Sequence, residues 1–212
     1  MKYEAIIFDL DGVICHTDKY HYEAWKAVAD KLNIEFNETI NNRLRGVSRM
    51  ESFNIILEKY DIAMSEVEKL RYAEEKNAIY KDLLKNMAEK DLSEEVRKTL
   101  IDLRNKGVKL AIGSSSKNAR FILSQIGLGD FFDAISDGNN ITKSKPDPEV
   151  FLKAAEYLNV PAKRCLVVED AVAGLEAAIR AQMDSAAIGD AVSSGKATYS
   201  LEQFGDLLRV IE

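Results

Sequence analysis

Short apolar runs set between helix-forming stretches most constrain what this chain can fold into. Residues 3–8, 108–113, 134–136, 165–169 and 185–188 are too brief for helices, and the more apolar of them suit strands buried on both faces of a parallel sheet. Between them, residues 93–106, 119–126, 149–158 and 174–181 suit helices, the first stopped by Gly107. Strand and helix in alternation predict an α/β fold, a Rossmann-like doubly wound parallel sheet.

Residues 16–89 break that rhythm. They contain no convincing strand, are rich in charged and helix-forming residues, and are too many for a loop. Asp18 or Thr17 can cap a helix through Leu32, Ser48 one through Tyr60, and residues 65–84 repeat apolar side chains at helical spacing. The expected organisation is a catalytic core of residues 1–15 and 90–212, with a helical cap domain of residues 16–89 inserted after the first strand. In an open parallel sheet, ligands collect at the carboxyl ends of the strands. Asp9, Ser114 and the Glu169-Asp170 pair all fall there, and the insert is expected to form a lid over that edge.

The first strand runs into Phe8-Asp9-Leu10-Asp11-Gly12-Val13. Alternation along the strand sends Asp9 and Asp11 out on one face, where two carboxylates can divide work on one substrate atom. Gly12 permits a sharp turn and lets backbone N–H groups approach an anion. Three more segments follow: Ile112-Gly113-Ser114-Ser115-Ser116-Lys117-Asn118, Lys143-Ser144-Lys145-Pro146-Asp147-Pro148, and Val167-Val168-Glu169-Asp170 with Gly174 four residues on. Singly, each has an ordinary explanation: a polar turn for the acids and glycine, a helix start for Ser114 and for the Glu-Asp pair, a solvated loop for Lys145. Together they supply a nucleophile, a hydroxyl, a point charge and a carboxylate pair, the parts that phosphoryl transfer requires. Two carboxylates facing a phosphate repel it, which calls for a hard divalent cation, Mg²⁺, with Asp170 as the best further ligand.

In this order the segments resemble the haloacid dehalogenase superfamily. The run 9–13, His21 and Trp25, Gly46-Val47-Ser48-Arg49 and the Ser-Ser-Ser-Lys-Asn of 114–118 are similar to the β-phosphoglucomutase family within it, and the resemblance covers nearly the whole chain. It implies that Asp9 forms an aspartyl phosphate and that Asp11 is general acid and base, with Ser114 and Lys145 on the transferring group. Mg²⁺ is then held by the Asp9 carboxylate, the Asp11 backbone carbonyl and Asp170, with Glu169 in or beside that set. Arg49, Ser116, Lys117 and Asn118 hold the phosphate that is not reacting, and Ser115 belongs to the same substrate loop. Gly46 and Val47 bring backbone near the sugar, Trp25, Ser52 and Lys76 line that space, and His21 helps position Asp11. Alternatively, Trp25 is core and His21 an ordinary helix histidine. The implied activity is a Mg²⁺-dependent isomerase interconverting β-D-glucose 1-phosphate and glucose 6-phosphate, with β-glucose 1,6-bisphosphate as activator and intermediate. The rivals are a sugar-phosphate phosphatase of the same superfamily and a catalytically silent phosphosugar-binding regulator.

Bulk properties agree with a small-molecule partner. A formal net charge of −6 argues against nucleic acid, and a chain 46% hydrophobic and 30% charged has no run able to span a bilayer. The chain enters its first strand without a secretory-type segment, so a cytoplasmic location is expected, and its length allows a monomer. Cys15 and Cys165 lack zinc or redox spacing and are expected as buried free thiols. No P-loop, dinucleotide fingerprint, nucleophile elbow or HExxH helix occurs. Three residues depart from the family pattern: His16 where an acid is common before Thr17, Ala171 where serine is usual, and Gln182 where glycine often ends a helix.

Overall fold

The computed structural model describes residues 1–44, 47–60 and 63–212. Its centre is a six-stranded sheet with every pairing parallel, formed by β1 (Ala5–Phe8), β2 (Lys109–Gly113), β3 (Ala134–Ser136), β4 (Cys165–Glu169), β5 (Asp184–Ala187) and β6 (Tyr199–Ser200) in the order β3-β2-β1-β4-β5-β6. The chain winds outward from β1 in one direction and then crosses to start again at β4, which creates a switch point beside β1. Phe8 pairs with Ile112 on one side and Val168 on the other, so three strands end level. That register brings the residues after them, Asp9, Ser114 and Asp170, to one edge.

β1 and β4 are buried along their whole length, as the apolar runs Ala5–Phe8 and 165–168 require, and the buried last residue of β4 is the acid Glu169. Helices α5 (Glu94–Asn105), α6 (Ala119–Gln125), α7 (Glu149–Leu158), α8 (Val172–Arg180) and α9 (Leu207–Val210) accompany the sheet in the unit made of Met1–His16 and Ala88–Glu212. On α7, Val150, Phe151, Ala154 and Leu158 enter the same apolar cluster as Ile7, Ala111 and Val167 of the sheet. Ser93 caps α5 through the Val96 N–H at 3.2 Å.

The second compact unit, Thr17–Met87, has helices and no strand among its described residues: α1 (Asp18–Lys31), α2 (Glu38–Asn42), α3 (Arg49–Leu57) and α4 (Glu66–Leu84). Trp25, Val28, Phe36, Ile40, Phe53 and Ile56 form its core. Ser65 and Glu68 make a reciprocal capping box at the start of α4, and Ser48 caps α3. Helix α3 stops at Leu57, short of Tyr60, and the brief α2 and β6 carry too few residues for a periodic signal. Thr17 precedes α1 without a side-chain cap; its Oγ1 accepts the Tyr80 hydroxyl at 2.9 Å instead. Both cysteines are buried free thiols, with burial raising Cys15 and taking Cys165 up to about 11. Among the described residues, no helix is long and apolar enough to cross a membrane.

Gln182 follows α8 with φ +57°, the left-handed region where a Cβ is strained. Gln182→Gly should therefore stabilise the fold by about 1 kcal/mol. Urea unfolding should show a higher midpoint at an unchanged slope.

Candidate active site

The first carboxylate sits where β1 ends. Asp9 extends the ladder by one bond, its N–H donating to the Val168 carbonyl at 2.9 Å, which fixes its backbone beside the end of β4. Its side chain is buried, and Lys145 Nζ donates to both Asp9 Oδ1 and Glu169 Oε1. The ammonium also lies 4.8 Å from the centre of the Phe151 ring. Lys145 is 3% exposed, far from the solvated loop lysine that its sequence neighbours allow.

Asp9, Glu169 and Asp170 offer carboxylate oxygens within 4.8 Å of one another. The Asp11 carboxylate is not part of that group. Burial pushes the Asp9 carboxyl well above its usual 3.8; Lys145 opposes this, while Glu169 and Asp170 push the same way as burial. Burial also works against the Lys145 charge, but the Asp9 and Glu169 carboxylates outweigh it and hold the ammonium above its ordinary range. A set of oxygen donors with surplus negative charge fits a hard divalent cation.

Two glycines make room for these acids. A Cβ on Gly12 would lie 2.0 Å from Asp170 Oδ2, and one on Gly174 would lie 1.9 Å from Glu169 Oε1. Gly12 has φ +89° and turns the chain sharply, as its sequence suggests. Its N–H, however, donates to the Cys15 carbonyl at 2.7 Å, so this N–H closes the turn. Glu169 Oε2 accepts the Ala171 N–H at 3.0 Å, a bond that needs no hydroxyl at position 171.

Ser114 follows β2 and is buried. Its Oγ accepts the Ser116 N–H at 3.1 Å, which leaves its own O–H hydrogen to donate. Ser116 Oγ in turn accepts the Asn118 N–H at 3.2 Å; Ser115 Oγ is buried with no hydrogen bond among the described residues, Lys117 is exposed and Asn118 is buried. This loop and the carboxylates belong to the same unit.

The remaining candidates lie in Thr17–Met87. Lys76, 3% exposed, places its ammonium 4.4 Å from the Tyr80 ring centre and 5.2 Å from that of Trp25. It lies 2.8 Å from His21 Nδ1. An ammonium only donates, so a neutral His21 accepts at Nδ1 and carries its proton on Nε2. Trp25 is buried and stacked on Phe53, which makes it core as well as a face for Lys76. Ser52 is also buried, and Val47 is partly so. Arg49 is drawn to α4, with Nη1 3.0 Å from Glu74 Oε1 and Nη2 2.9 Å from Asn77 Oδ1, and burial lowers its pKa. Gly46 lies outside the described residues.

The family model described as haloacid dehalogenase-like hydrolase matches residues 3–182. The chain belongs to that family. A β-phosphoglucomutase of Bacillus subtilis is 37% identical over 206 residues, covering 96% of this chain and 91% of that protein. A crystal structure of β-phosphoglucomutase from Clostridium difficile superposes with a TM-score of 0.92 at 40% identity, covering 99% and 95% of the two chains. A phosphorylated carbohydrates phosphatase of Thermotoga maritima is 34% identical, covering 82% and 80%.

One contributor to this haloacid dehalogenase-like site carries no sequence signal beyond an acid at a helix start. Glu149 Oε2, in the first turn of α7, accepts the Thr142 N–H at 2.9 Å, the Thr142 hydroxyl at 2.8 Å and the Lys143 N–H at 2.8 Å. It thereby pins the loop that carries Lys145, and these bonds lower its pKa from 4.5 to about 2. Because the folded value lies below the unfolded one, the stabilisation is present above pH 4.5 and is lost as pH falls through about 2. The stability difference between wild type and Glu149→Gln should stay constant above that window and shrink within it, as read by chemical unfolding across pH.

Gly174→Ala sets helix propensity, a gain of about 1 kcal/mol, against the displaced Glu169 carboxylate. If Glu169 helps hold the cation, calorimetric titration with Mg²⁺ should show affinity reduced by roughly 10–100-fold.

Proposed function

We propose that this chain is a β-phosphoglucomutase, interconverting β-D-glucose 1-phosphate and β-D-glucose 6-phosphate through β-glucose 1,6-bisphosphate. The observation that carries this choice is the 37% identity to the Bacillus subtilis β-phosphoglucomutase over 96% of this chain, which extends through both compact units. The buried Asp9–Lys145–Glu169 network supports phosphoryl transfer at the sheet edge.

In this reading an Asp9 carboxylate oxygen bonds to phosphorus as the bond from phosphorus to the sugar oxygen breaks. Asp11 gives that oxygen its proton, and later takes a proton from the sugar hydroxyl that attacks the aspartyl phosphate. Lys145 orients Asp9 and supplies positive charge beside the transferring group, and the Ser114 O–H donates to one of its oxygens. Asp9, Asp170, the Asp11 backbone carbonyl and, in or beside the set, Glu169 are the groups for Mg²⁺, which when bound offsets repulsion between carboxylates and phosphate. Arg49, Ser116, Lys117 and Asn118 are our candidates for the second phosphate. Ser115 belongs to their loop, and His21, Trp25, Val47, Ser52, Lys76 and Gly46 are assigned to the sugar side. The helical unit acts as a cap in this proposal.

A sugar-phosphate phosphatase is the second reading, favoured by the 34% identity to the Thermotoga maritima phosphatase. The two differ in whether water or a sugar hydroxyl takes the phosphoryl group from Asp9. Incubation with β-D-glucose 1-phosphate, Mg²⁺ and a trace of glucose 1,6-bisphosphate should yield glucose 6-phosphate with little inorganic phosphate. Phosphate without isomerisation would make the chain a phosphatase. Asp9→Asn should lower turnover by orders of magnitude in either case, whereas a biological activity that survives this variant would mark a binding role.

A further inference from the structure

The turn after β3 carries none of the groups used above, yet it braces the Ser115–Asn118 loop from behind. The Gly138 N–H donates to the Ser116 carbonyl at 3.1 Å, and Asn139 Nδ2 donates to the Lys117 carbonyl at 3.0 Å. A Cβ at Gly138 would lie 2.4 Å from the Ser115 carbonyl oxygen and 3.0 Å from the Lys117 backbone nitrogen, so the two backbones meet with no space for a side chain. The contact begins one residue earlier, where the Ser114 N–H donates to the Ser136 carbonyl at 3.0 Å.

The turn is itself held firmly. Asp137, 1% exposed, accepts the Asn139 N–H at 2.9 Å, and Asn140 Oδ1 accepts both the Ser136 hydroxyl and the Asp137 N–H at 3.2 Å. Asp137 Oδ2 makes no hydrogen bond among the described residues, and Arg120 Nε of α6 stands 3.7 Å from it. A buried carboxylate of this kind is costly unless its position is used, because its desolvation is only partly repaid. What it fixes is the backbone at 138 and 139, and those two residues fix the carbonyls of Ser116 and Lys117.

We propose that Gly138 and Asn139 are positioning residues for the second phosphate, acting through the backbone of Ser116 and Lys117. The inference rests on the β-phosphoglucomutase reading. Asn139 separates the two ends of the reaction, because its amide holds only the Lys117 carbonyl, whereas Gly138 meets Ser116, whose N–H also holds Ser114 Oγ.

The test compares Gly138→Ala, Asn139→Ala and the isosteric Asn139→Asp, which loses the donor. Asn139 is exposed, so its variants should fold normally even if Gly138→Ala does not. In the Asn139 variants we expect KM for glucose 1,6-bisphosphate to rise roughly tenfold or more, while Mg²⁺-dependent hydrolysis of acetyl phosphate, which has no second phosphate, stays within about twofold of wild type; Gly138→Ala should raise KM as well and also slow that hydrolysis through Ser116 and Ser114. Unchanged KM in the Asn139 variants beside an active wild-type mutase would overturn the positioning role alone. Equal loss of both activities in those variants would also overturn it, since it would mark general damage. A wild type without mutase turnover would overturn the underlying reading, and this inference with it.

Discussion

Everything at the sheet edge depends on the Lys145 ammonium being buried between Asp9 and Glu169. Taking each ion out of water costs several kcal/mol, and only close opposite charge and hydrogen bonds offset it. Three segments must therefore meet within hydrogen-bonding distance: the end of β1, the end of β4 and the loop before α7. One ammonium cannot neutralise Asp9, Glu169 and Asp170 together. The surplus negative charge helps push the Asp9 carboxyl upward, and it is what a hard divalent cation would cancel.

Hydrogen bonds alone do not set the carboxylates; missing side chains do as much. Asp170 lies against the bare Cα of Gly12 and Glu169 against that of Gly174. The two acids are adjacent in sequence, yet each leans on a different backbone, one from the β1 loop and one from α8. Ala171 contributes only its N–H to Glu169, so the serine usual in the family is dispensable for this contact. Exposed His16 and strained Gln182 lie outside the carboxylate cluster, which leaves its geometry to the residues already named.

The parallel sheet was legible because its strands are nearly unbroken apolar runs, and Asp9, Ser114 and the Glu169-Asp170 pair were legible because they stand where those runs end. Lys145 was harder: in sequence it is one lysine in a polar, proline-containing loop, and only its order among the other motifs singled it out. Glu149 and the turn at 137–140 gave no usable signal. Their work is done through backbone groups of the neighbouring loops, and residues that bond to backbone look like any acid or amide at a helix start or turn. Close approaches such as that at Gly174 are likewise invisible until the opposing side chain is placed.

Lys76 is a buried charge at a position where an apolar side chain could pack. If the helical unit needed only to fill the space between Trp25 and Tyr80, a methionine would do so without the cost of burying an ammonium. Instead the charge is kept, received by two ring faces and by His21 Nδ1. Tyr80 stacks on the His21 ring with centroids 4.1 Å apart and is itself anchored through its hydroxyl to Thr17, the residue that opens this unit. The imidazole is thus held in plane by Tyr80, and the ammonium beside Nδ1 favours the tautomer with its proton on Nε2. In the proposed mutase, a histidine constrained twice in this way suits the sugar-side position assigned to it.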